Sequence, residues 1–153
     1  MPETIIIADA SCIISLDNIG ELYLLRKMFD EITITPEVAD EFGEPLPDWI
    51  KIKRVVDEKK MRLLELELDR GEASAIALAL EQVDSLLLID ERKGREIAQR
   101  VGLKIMGILG TLIWAKEKGV IGAVKPLLEK LESNDFRISK SLKERILRRT
   151  SET

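Results

Sequence analysis

Between Asp69 and Gly102 the chain reads DRGEASAIALALEQVDSLLLIDERKGREIAQRVG, a helix, a strand and a second helix. Ser85 to Ile89 is a run of Leu and Ile with no polar alternation after Ser85. A strand reads this way when both of its faces are buried, as in a parallel sheet covered by helices. The preceding helix begins after Gly71, with Ala73, Ile76, Ala77 and Leu80 at helical spacing. The following one, Arg92 to Val101, has Gly102 as its stop signal. Ligands of open α/β sheets bind just beyond the carboxyl ends of the strands. Asp90, which ends this strand, therefore stands where chemistry occurs in such a sheet, and Glu72 opens the helix before it.

Thr4 to Ala8 (TIIIA) is a second β-branched run, and it too ends in an acid, Asp9. Ser11 is expected as the N-cap of the next helix, whose apolar turn carries Cys12, Ile13, Ile14 and Leu16 up to a break at Asp17–Gly20. Glu21 to Phe29 is an amphipathic helix with Leu22, Leu25 and Phe29 inward, and Glu31 to Thr35 is a short strand. Pro36 opens a helix that carries Glu37, Asp40 and Glu41 and stops at Gly43. Trp49 to Val55 alternates as an edge strand does, and Asp57 to Leu68 is a charged helix. A strand between Val101 and Gly107 follows, then helices over Thr111–Lys118 and Ala123–Leu131, and an edge segment at Phe136–Ile138. A terminal helix over about 139–150, capped by Ser139 or Ser141, is peripheral. The alternation predicts an α/β protein of three layers with a short central parallel sheet flanked by helices, and 1–153 as a single domain.

Composition narrows the chemistry. The chain has no histidine and one cysteine, Cys12. Ser–His and Cys–His nucleophiles, a histidine base, His-ligated zinc and an internal disulfide are all excluded. The 28 Asp and Glu leave carboxylates as the available ligands, and carboxylates suit hard cations such as Mg²⁺ or Mn²⁺. A net charge of -4 argues against a protein that coats nucleic acid, although 24 Lys and Arg leave room for a local basic groove. With 4% aromatic residues, base stacking has few candidates, and Trp49 and Trp114 read as packing residues. No apolar run approaches the roughly 18 residues of a membrane span, and no signal peptide is evident, so a cytoplasmic protein without membrane contact is expected.

If the two Asp-terminated strands are neighbours, about 4.8 Å apart, Asp9 and Asp90 share one site. Two ionised carboxylates ~4 Å apart repel by about 4 kcal/mol at an effective dielectric near 20, and a divalent cation turns that repulsion into coordination. Each acid also has an ordinary reading. Strand-end Asp residues serve as turns or helix caps. Glu72 complements a helix dipole, and Glu41 sits on a solvated face. Cys12 reads as a small core residue.

The motifs resemble those of PIN-domain nucleases. DAS at Asp9–Ser11 is similar to the family's first motif, PEVADEF at Pro36–Phe42 to the second, with Glu41 on the matching acid, and GEASAIALA at Gly71–Ala79 to the third, with Glu72 in the acidic position. LLLIDERKGREIA at Leu86–Ala98 resembles the strand motif that supplies Asp90, and GILGTLIWAKEKGVI resembles a branch of short PIN-like proteins of bacteria and archaea related to toxin-type ribonucleases. The resemblance implies metal-dependent hydrolysis of RNA, with Mg²⁺ or Mn²⁺ held by Asp9, Glu72 and Asp90. Glu41 would hold a water of the metal or orient the nucleophile. Ser11, Glu91 and Thr111 would support these ligands from behind. Lys93, Arg95 and Lys116 would meet RNA phosphates, as would the basic terminal helix. A toxin held in check by a small antitoxin protein, working as a homodimer, is the implied setting. The sequence departs from the pattern at Glu72, where many toxins have Asp, and at Glu91, where many have a second Asp.

Two other readings are open. One is a PIN-like module that keeps the fold, is weak or inactive as an enzyme, and binds protein or RNA. The other is a phospho-receiver or phosphatase-like α/β domain with an Asp nucleophile; it fits poorly, because Ala8 precedes Asp9 where receivers pair two acids.

Overall fold

The computed structural model describes residues 3–153. Five strands form one parallel sheet: β1 (Ile5–Ala8), β2 (Ile32–Ile34), β3 (Ile50–Ile52), β4 (Ser85–Leu88) and β5 (Lys104–Met106). Their order is β3-β2-β1-β4-β5. From β1 the chain moves outward to β2 and β3, then crosses back to place β4 on the other side of β1. β1 and β4 thus form the topological switch point, where open α/β sheets bind ligands. Ile5, Ile6, Ile7 and Ala8 pair with Ser85, Leu86, Leu87 and Leu88 in register. Ile7, Ala8, Leu87 and Leu88 are at most 1% exposed, as the apolar runs predict for central strands.

Nine helices flank the sheet among the described residues: α1 (Ala10–Asn18), α2 (Tyr23–Phe29), α3 (Pro36–Phe42), α4 (Glu58–Leu64), α5 (Arg70–Leu80), α6 (Arg92–Arg100), α7 (Ile108–Glu117), α8 (Lys125–Ser133) and α9 (Lys140–Arg149). The expected α/β architecture with a short central parallel sheet is the observed one. α5 is central. Its small residues let it approach α3, α4, α6, β1 and β4 together, and Gly71 to Ala79 are all buried.

Several boundaries differ from the sequence reading, and most for one reason: the cap lies far away in the chain. α7 starts at Ile108 rather than Thr111, because Asp90 accepts the Ile108 N–H at 3.1 Å. α8 starts at Lys125 rather than Ala123, because Glu152 accepts the Val124 and Lys125 N–H groups at 2.9 Å. Glu81 does the same for the Val56 and Asp57 N–H groups ahead of α4. α4 ends at Leu64, and the chain turns before Leu68. α2 buries Leu24, Leu25 and Met28, while Leu22 and Phe29 are half-buried. Among the described residues Phe136–Ile138 pairs with no strand, and the terminal helix is capped by Ser139, whose Oγ accepts the Leu142 N–H at 3.2 Å.

The terminal segment is latched through Glu152, which also pairs with Lys116 at 3.6 Å. Burial opposes its ionised form, but the two N–H donors, Thr150 and Lys116 outweigh that, and its carboxyl is held down at about 2. A depressed carboxyl stabilises the fold above its ordinary value and loses that contribution as pH falls toward the folded value. Glu152→Ala is expected to destabilise the protein by roughly 1–3 kcal/mol at pH 7. The loss should shrink as urea titrations are taken from pH 5 toward pH 3. A deficit that stays constant over that range would show that the carboxylate does not carry the latch.

Candidate active site

The carboxyl ends of β1 and β4 bring the two strand-end acids to neighbouring positions. The Asp9 N–H donates to the Leu88 carbonyl at 2.9 Å, which extends the β1–β4 ladder one residue into the site. Asp9 occupies the N-cap position of α1 with extended backbone, yet its side chain caps nothing. Oδ2 accepts the Ser11 hydroxyl at 3.0 Å, whereas Oδ1 is buried with no partner. The residue is 2% exposed. Burial pushes its carboxyl up to about 6; the negative Glu41 and Asp69 push the same way, while Ser11 and the Ala10 N–H resist.

Asp90 meets α1 through Cys12. Oδ2 accepts the Cys12 thiol at 3.2 Å, and the Ile108 N–H reaches both oxygens, at 3.1 and 3.3 Å. Burial raises its carboxyl, opposed by Ile108, Cys12 and the positive Arg95. The Cys12 thiol is pushed well up by burial and by the charge of Asp90, so it stays protonated and donates. Gly107 makes room for Asp90: a Cβ there would lie 2.5 Å from Oδ1.

Glu72 lies in the first turn of α5 and forms a reciprocal cap with Asp69. Asp69 accepts the Glu72 N–H at 2.8 Å, and Glu72 Oε1 accepts the Asp69 N–H at 3.4 Å. Oε2 is buried without a hydrogen-bonding N–H or hydroxyl. Burial, then hydrogen-bonding contact with Glu91 and Asp69, raises the Glu72 carboxyl well above the ordinary range. Glu91 is lowered, chiefly by the Gly94 N–H that it accepts at 2.8 Å, and also by Glu72. Glu72 therefore holds the proton of this pair. Glu41 reaches the site from α3. Its Oε1 lies 2.8 Å from where a Cβ on Gly71 would be, so a larger residue there would push the Glu41 carboxylate aside. Burial and Asp69 raise its carboxyl.

The acids thus gather at one edge, though their side chains do not close on a single point. Among the described residues, no group of three or more Asp, Glu or Cys side chains is placed to hold a metal ion. Two observations nevertheless fit a hard cation at this edge. Among the described residues no N–H or hydroxyl reaches two buried carboxylate oxygens, Asp9 Oδ1 and Glu72 Oε2, and the donor set is all carboxylate.

The supporting residues sort differently from expectation. Ser11 lies inside α1 and is not its N-cap; it donates to Asp9. Glu91 is the N-cap of α6. The Thr111 hydroxyl donates to the Gly107 carbonyl at 2.9 Å within its own helix, which accounts for its buried donor. Arg95 stands by Asp90 at the mouth of a groove of about 540 Å³ that runs along α7 to α9. Lys93 is exposed on α6. Lys116 is engaged with the Gly122 carbonyl and with Glu152 in the terminal latch. Asp69 joins the acids without a site motif of its own, its D-x-x-E spacing to Glu72 marking only a capping box.

A family model described as a PIN domain matches residues 5–152. The chain belongs to the PIN-domain family. PIN domains have a nuclease-type fold and are generally metal-dependent, which agrees with the acidic switch point of this one. No curated protein matches the chain.

The raised acids make a pH prediction. A carboxyl whose folded value is raised stabilises the fold while protonated, and that contribution is lost as pH rises through the folded value. For Asp9, a rise from 3.8 to about 6 amounts to on the order of 3 kcal/mol. In chelator, the melting temperature should fall between pH 5 and pH 8, Asp9→Asn should flatten the fall, and Mn²⁺ should raise the melting temperature more at pH 8 than at pH 5. A melting temperature independent of pH in chelator would contradict the burial of ionisable Asp9.

Proposed function

We propose that this protein is a ribonuclease that hydrolyses RNA phosphodiester bonds with Mg²⁺ or Mn²⁺ at the carboxyl edge of β1 and β4. The observation that carries the reading is the pair of buried oxygens, Asp9 Oδ1 and Glu72 Oε2, that no N–H or hydroxyl among the described residues reaches. Buried polar atoms without partners are costly, and at a switch point the cost has a functional explanation. Asp9, Glu72 and Asp90 would hold the ion. When bound, a divalent ion lowers the pKa of water and offsets charge on the phosphate oxygens. Glu41, with its raised carboxyl, orients the attacking water and accepts its proton. The Ser11 hydroxyl and the Cys12 thiol fix the orientations of Asp9 and Asp90. Arg95, beside Asp90, meets a phosphate oxygen of the substrate, and Lys93 adds positive potential on the same helix.

The finer setting is proposed on the likeness of Gly107–Ile121 to short PIN-like proteins. In it the chain acts as one domain, as the toxin of a toxin–antitoxin pair, dimeric, cytoplasmic and inhibited by a small partner protein. No helix among the described residues is long and apolar enough to cross a membrane.

A specific observation favours a second reading, a PIN-like module that binds protein or RNA without cutting. No three carboxylates among the described residues close on one point, and Glu72 shares a proton with Glu91. Cleavage of a mixed RNA substrate with Mn²⁺ separates the two. The nuclease reading predicts Mn²⁺-dependent products, and a loss of more than about a hundredfold in Asp9→Asn, since even residues behind a metal ligand are worth ten- to a hundredfold. No cleavage by the wild type, or equal cleavage by Asp9→Asn, would leave the binding module standing.

A further inference from the structure

Beside the acidic edge lies a second charged feature that the catalytic reading does not use. A cleft of about 390 Å³ is lined by Arg54, just beyond β3, Arg62 on α4 and Arg70 on α5, with buried Met61 also in its wall. It adjoins the acids directly. Arg70 precedes Gly71, against which Glu41 rests, and Glu37, one turn ahead of Glu41 on α3, lines the cleft. Glu58 and Glu65 line it as well. Yet among the described residues none of the three arginines enters an ion pair. Elsewhere arginines do pair, Arg92 with Glu96 and Arg149 with Glu117. Three guanidinium groups from three separate elements are thus held in one cleft with their donors free.

We propose that this cleft seats phosphate groups of the RNA strand at a distance of a few nucleotides from the scissile bond, with Arg54, Arg62 and Arg70 as their ligands. The planar fork of arginine fits phosphate oxygens in pairs, and such bonds are charge-assisted. Topology supplies the alignment. Arg54 leaves the carboxyl end of β3, the same edge from which Asp9 and Asp90 leave β1 and β4. β3 lies two strands from β1, about 10 Å along that edge. Arg95 stands on the opposite side, beside Asp90. A single strand crossing the carboxyl edge meets guanidinium groups before and after the carboxylates. A net-acidic chain has to hold a polyanion by local contacts of this kind. The identity of the anion rests on the nuclease reading; the location of the anion site does not.

The test is binding without cleavage. A fluorescein-labelled single-stranded RNA of about 12 nucleotides, within the range that single-strand sites span, is titrated in EDTA over a series of KCl concentrations and followed by anisotropy. Arg54→Gln/Arg62→Gln is expected to weaken binding roughly tenfold or more and to reduce the slope of log Kd against log salt by about 1.4, or 0.7 for each phosphate no longer neutralised. Both side chains are exposed, so the melting temperature should not move. Lys27→Gln/Lys125→Gln removes the same charge from exposed positions elsewhere and should leave the slope unchanged. Equal weakening in the two double variants, or an unchanged slope in the arginine variant, overturns the site while leaving cleavage to be judged by its own assay. A wild type that binds no RNA at low salt overturns it as well.

Discussion

The parallel pairing of β1 with β4 is the constraint on which the rest of the molecule depends. It lines up Ala8 with Leu88, so the chain beyond each strand emerges at the same edge carrying Asp9 and Asp90. Nothing local to either segment favours this. Two acids that would be solvated in the unfolded chain are placed in a buried corner, with Glu72 and Glu41 brought in by α5 and α3. Burial raises the carboxyls of both Asp9 and Glu72, and their negative neighbours add to the rise. The strand pairing therefore places an electrostatic cost at the switch point, and on the proposed reading a divalent ion would recover it.

The surrounding packing is arranged to tolerate that cost. Cys12 shows how. It is a core residue, and its thiol donates across to Asp90. Gly71 and Gly107 are places where a methyl group would strike a carboxylate oxygen of Glu41 or Asp90. The same economy recurs in helix capping. Asp90 caps α7 while standing at the site, and Glu72 completes a capping box while leaving one oxygen free. A carboxylate committed to the backbone is fixed in orientation, and its remaining lone pairs are available to a ligand.

Much of this was legible in the chain. The β1 and β4 runs read as buried parallel strands because such strands have no polar face to show, and the acids at their ends were visible as single letters. Their convergence followed only if the two strands were neighbours, which is a tertiary fact. What stayed hidden was what depends on partners far along the chain. The starts of α7 and α8 are set by Asp90 and Glu152, 18 and 28 residues distant. Lys116 looked like a phosphate ligand because its engagement with Glu152 is decided at the other end of the sequence. Ser11 has the composition of a cap but follows the true cap position by two residues. Asp69 is a different case: its spacing to Glu72 was readable, and its closeness to Asp9 and Glu41 was not.

The central proposal is that these buried acids bind a divalent cation and shed protons as they do so. Calorimetric titration of Mn²⁺ into the chelator-stripped protein at pH 7, repeated in buffers of different ionisation enthalpy, measures it most directly, because ligands must shed their protons to bind metal. The account predicts saturable binding with about one proton released per ion, and loss of both in Asp9→Asn. Binding with no proton release, or binding that Asp9→Asn leaves intact, would contradict it.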